Sequence, residues 1–108
     1  MRQLDSQQVV GAVARLCQEA NFSLGNDVME ALKRARDAEV SPLGREVLGR
    51  LLENAAMAQT ERLPLCQDCG LMVVFAEVGQ DVHITGDLNA AIEEGVRRGY
   101  AQGYLRRS

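Results

Sequence analysis

Leu65-Cys66-Gln67-Asp68-Cys69-Gly70 is the densest run of chemically capable side chains in this 108-residue chain. A soft-metal ligand, an amide and a carboxylate stand side by side. On a tight turn they can hold a metal and grip a polar substrate together. Cys66 and Cys69 also form a CxxC, which alone admits three readings. It could be a dithiol redox pair, but thioredoxin-like pairs lie between a strand and a helix. Here a helix precedes and a strand follows. It could be half of a zinc site whose other half is missing, or two small hydrophobes.

The other candidates have plainer explanations. Cys17 lies on the apolar face of a helix and reads as core. His83 stands between Val82 and Ile84 in a strand-like run and reads as structural, and Asp81 reads as a turn residue. Glu93, Glu94, Arg97 and Arg98 read as a solvated helix face with i, i+4 pairs. Three cysteines and one histidine therefore leave a four-ligand metal site incomplete. The mismatch points to part of a larger catalytic unit.

The elements that must position these residues follow from periodicity. Leu4, Val9, Val13, Leu16, Cys17 and Ala20 recur near a 3.6 period, with Asp5 or Ser6 as cap. Asn21 to Asn26 holds Ser23 and Gly25 and reads as a turn. A second helix follows, with Asp27 as N-cap, Glu30 three residues on, and Val28, Ala31, Leu32 and Ala35 as its apolar face. Ser41-Pro42 opens a third helix, whose stripe is Leu43, Val47, Leu48, Leu51, Leu52 and Ala55. After Pro64 the period changes. Leu71 to Val78 reads as a largely buried strand, Gly79-Gln80-Asp81 as a turn and Val82 to Thr85 as a second strand. A hairpin is the simplest connection between them.

Gly86-Asp87 ends that strand and caps a last helix from about Leu88 to Tyr104. Gly95, Gly99 and Gly103 fall on one face of it, at a cost of about 1 kcal/mol each relative to alanine. The aligned glycines imply a groove for a second backbone, either a packed helix or a missing segment or subunit. Arg106 and Arg107 complement the helix dipole and could also grip a carboxylate. The expected fold is α+β and mostly helical: three N-terminal helices, a short β-hairpin and a C-terminal helix, in one domain over residues 1–108.

Composition bounds the function. Apolar residues are 46% and aromatics 4%, so the core is aliphatic. A net charge of −3 gives no electrostatic case for nucleic acid. No apolar run approaches the roughly 20 residues of a membrane span. The N-terminus lacks a secretory apolar segment, and the odd cysteine count suits a reducing compartment, so a cytoplasmic location is expected.

Pro64-Leu65-Cys66-Gln67-Asp68, with Gly70 closing the turn, resembles the CQD(T)G motif of the iron–sulfur hydro-lyases. These are the class I fumarate hydratases and the α subunits of L-tartrate dehydratases. The likeness continues through Val78-Gly79-Gln80-Asp81-Val82-His83, Glu94 to Tyr100 and Leu105-Arg106-Arg107-Ser108. It is close over about residues 60–108, while the helical first half fits in pattern.

The resemblance implies a [4Fe–4S] cluster, held by three cysteines, whose fourth iron acts as a Lewis acid on substrate. It implies that Cys66 is a cluster ligand and that Gln67 and Asp68 contact substrate. Arg106 would bind a substrate carboxylate, and Asp68 is the candidate catalytic residue. The implied reaction is reversible hydration of fumarate to malate, with dehydration of L-tartrate as the alternative. A non-catalytic binding or assembly module of the same fold is the rival from another class. Cys69 departs from the family's usual threonine, and Cys17 and Cys69 do not match the other two cluster cysteines. Those cysteines, the rest of the α subunit and a β subunit or C-terminal domain are expected partners, alongside a small dicarboxylate, in an oligomer. The chain by itself is expected to be inactive.

Overall fold

The computed structural model describes residues 1–65 and 71–106. The molecule is a mostly helical α+β protein, whose elements are β1 (Arg2–Asp5), α1 (Ser6–Phe22), α2 (Asn26–Ala38), α3 (Pro42–Glu61), β2 (Val82–Thr85) and α4 (Leu88–Gln102). It divides into two compact units, Met1–Glu19 with Cys69–Ser108, and Ala20–Asp68.

In the first unit β1 and β2 form a parallel pair, Arg2 opposite Val82 through Asp5 opposite Thr85. This corrects the expected hairpin. β2 takes its partner from the N-terminus, where the sequence reading placed the entry to a helix. The expected strand over Leu71 to Val78 also fails, because these residues join no ladder. Their β-forming composition suits a pleated, half-buried surface, and the described residues do not supply a second strand for it.

The ladder is tied at both ends. The Arg2 amide donates to the Asp81 carbonyl at 2.8 Å, and the Thr85 hydroxyl donates to the Leu4 carbonyl at 3.4 Å. Asp81 thus acts as a turn residue. Gly86 turns the chain into α4 with φ +101°, a conformation that disfavours any side chain. Asp87 then caps α4, accepting from the Ala90 amide at 3.1 Å.

The core of this unit is a helix–helix seam. Val10, Val13, Ala14 and Cys17 are the buried face of α1, and Ala91, Gly95 and Gly99 that of α4. A Cβ on Gly95 would lie 2.6 Å from Val13 Cβ and 2.8 Å from the Val10 carbonyl oxygen. On Gly99 it would lie 2.7 Å from the Ala14 carbonyl oxygen. The glycine groove is therefore filled by the backbone of α1, the first of its two expected occupants.

In the second unit α2 packs on α3. Ser41 caps α3, accepting from the Gly44 amide at 3.3 Å, with Pro42 at the first turn. Leu52, Ala55, Ala58 and Leu65 are buried, with Leu24 and Met29 packed against Ala55, Ala58 and Leu65. Leu43, Val47 and Leu51 of the expected stripe are exposed instead, and Leu48 is half-buried. The cap of α2 is Gly25 rather than Asp27, whose carboxylate accepts from the Val28 amide at 2.9 Å. The α2 face is also rotated by one residue: Met29 and Leu32 are half-buried, whereas Val28, Ala31 and Ala35 are exposed.

Candidate functional site

Cys66, Gln67 and Asp68, with Cys69 and Gly70, lie outside the described residues, as does Arg107. The structure does define what delivers the chain to Cys66. α3 ends at Glu61, and Arg62 takes left-handed backbone angles, φ 57° and ψ 44°. The Leu63 amide then bonds the Ala58 carbonyl at 3.1 Å, which closes the last turn. The Arg62 guanidinium sits 4.9 Å from the centre of the Phe22 ring, a cation–π distance. Pro64 stiffens the exit, and the Leu65 amide donates to the Asn21 carbonyl at 2.6 Å. The Leu65 side chain is buried beside Ala55 and Ala58. Residue 65 is thus held by both its backbone and its side chain immediately before Cys66.

Arg106 is reached by a similar turn. α4 ends at Gln102, the Gly103 amide bonds the Gly99 carbonyl at 3.0 Å, and Tyr104 takes φ 54°. The Leu105 amide then bonds the Tyr100 carbonyl at 2.9 Å, the hydrogen bond of a Schellman motif. Leu105 is buried and Arg106 is exposed. Arg106 forms no ion pair with any other described residue.

The remaining candidates fall into structural roles. His83 is exposed on β2, between the half-buried Val82 and Ile84. Cys17 is 1% exposed, and burial pushes its thiol pKa up, which disfavours the thiolate a metal needs. On α4, Glu94 receives Arg97 Nε at 2.8 Å and Arg98 Nε at 2.7 Å. The hydrogen bonds from Arg97, then Arg98, lower its pKa to about 2. This is the expected charged face, centred on Glu94 with i+3 and i+4 partners.

Among the described residues no group of three His, Cys, Asp or Glu side chains could hold a metal ion. With Cys17 sealed in the α1–α4 seam, these residues do not supply the ligands of an iron–sulfur cluster. No described helix is long and apolar enough to cross a membrane. Sequence reasoning missed Asn21, Arg62 and Tyr104 as positioning residues. A backbone carbonyl carries no signal of residue type, and left-handed angles at Arg and Tyr contradict the usual glycine rule.

The profile of the family described as Fumarate hydratase (Fumerase) matches residues 10–108. The chain belongs to this family. Among curated relatives, a Methanocaldococcus jannaschii protein named "Putative L(+)-tartrate dehydratase subunit alpha" is 31% identical over 101 residues, covering 92% of this chain and 35% of that protein. The L(+)-tartrate dehydratase subunit alpha of Escherichia coli K12 is 28% identical over 112 residues, covering 98% of this chain and 36% of that protein. The chain thus spans about a third of the length of the relatives it matches. Fumarate hydratases and tartrate dehydratases are hydro-lyases, so the family's chemistry is the addition or removal of water.

Proposed function

We propose that the chain is the N-terminal part of an iron–sulfur hydro-lyase that reversibly hydrates fumarate to malate. The observation that carries this reading is the fumarate hydratase match over residues 10–108, which includes the Pro64–Gly70 motif and Leu105–Ser108. In this reading Cys66 is one of the thiolates holding a [4Fe–4S] cluster, which supplies Lewis acidity. Gln67 and Asp68 contact the substrate. Asp68, ionised beside cationic groups, accepts a hydrogen bond from the substrate hydroxyl. Arg106 binds a carboxylate with two parallel N–H donors.

Two features support these roles. The Cys66 side chain follows a doubly anchored Leu65, and the exposed Arg106 has no carboxylate partner among the described residues. The reading also assigns the enzyme to the cytoplasm, as an oligomer completed by the rest of an α subunit and by a β subunit or C-terminal domain. The 108-residue chain alone is inactive. The names of the curated relatives favour a second reading, in which the substrate is L-tartrate.

The test is anaerobic turnover of fumarate and of L-tartrate by the longest natural product that contains this segment. Oxygen-sensitive conversion of one of them establishes the reaction and names the substrate. Absence of turnover with an intact cluster overturns it. In the same protein Cys66→Ala is expected to lose iron, and Arg106→Lys to raise KM with iron content unchanged. Unaltered kinetics in Arg106→Lys would remove that residue from the site.

A further inference from the structure

We draw no further inference here: the strongest candidate, the largely exposed apolar run from Leu71 to Val78 that precedes β2, carries none, because nothing in the structure shows what covers it.

Discussion

The ends of α3 and α4 are built alike and held differently. Each helix passes into a non-glycine residue with left-handed angles, Arg62 or Tyr104, and each turn is closed by a hydrogen bond five residues back. Each then buries a leucine, Leu65 or Leu105, ahead of a candidate site residue, Cys66 or Arg106. A left-handed L-residue costs about 1–2 kcal/mol. At Arg62 that cost is offset by the stacked guanidinium, and the turn is reinforced by the Leu65–Asn21 hydrogen bond. Tyr104 is 91% exposed, and its turn is closed by the Gly103–Gly99 and Leu105–Tyr100 hydrogen bonds and the buried Leu105 side chain. The approach to the proposed cluster ligand carries a cation–π contact and a hydrogen bond to another element, whereas the approach to the proposed carboxylate-binding arginine is held by the backbone bonds of its own helix end and the buried Leu105. Binding a substrate by a tether with some freedom is compatible with function. A cluster ligand tolerates less.

Leu65→Ala should be the most damaging single change, at about 2–5 kcal/mol for a buried leucine truncated in a packed cluster. Leu105→Ala should cost less, and urea unfolding of the two variants compares them. An equal or larger loss at Leu105 would break the contrast between the two ends. Gly99→Ala should cost about 1–3 kcal/mol, because its new methyl meets the Ala14 backbone, which cannot yield. Gly11→Ala, which meets nothing within 4 Å, should instead gain up to about 1 kcal/mol. Thermal melting distinguishes the two signs.

Tyr104→Gly should stabilise by about 1 kcal/mol, by relieving the left-handed strain. Arg62→Gly should gain less, since it also removes a cation–π contact of about 0.5–1 kcal/mol. Equal gains would show that the Phe22 contact contributes nothing.

The smallest effect concerns Glu94, on the face of α4. Its folded pKa is depressed, so its ion pairs stabilise α4 above the usual carboxylate range. That contribution fades as pH falls through the ordinary glutamate pKa toward about 2. A carboxyl-carbon NMR titration should find Glu94 still ionised well below the usual carboxylate range. A midpoint near the ordinary value would mean that Arg97 and Arg98 are not bound to it in solution.

Local chemistry made several of these elements legible in advance. Ser41-Pro42 and Asp87 announced their helices because a cap is a contact between residues three apart. The spaced glycines announced a close helix contact, although only the structure names α1 as the helix that fills it. β1 was invisible. Its four residues include one apolar side chain, Leu4, and its partner lies far along the chain. Leu71 to Val78 had the composition of a buried strand, yet composition cannot say where the neighbouring strand comes from. On α3 the stripe was real, but periodicity gives a face and not how much of its length is covered. The site was legible as residue types in order. The turns that lead into it rest on Asn21, Arg62 and Tyr104, whose parts are played by backbone conformation and carbonyl position.

The parallel register pairs Arg2 with Val82, eighty positions later in the chain. At 5–20 residues per second of synthesis, roughly 4–16 s separate the emergence of the two strands. Through that interval the N-terminal residues have no ladder to join, although α1 can already coil behind them. Pairing of β1 is therefore a late event in the life of the nascent chain. The same geometry makes the first residues a poor place for a fused tag, because the Arg2 amide is itself a rung of the finished structure.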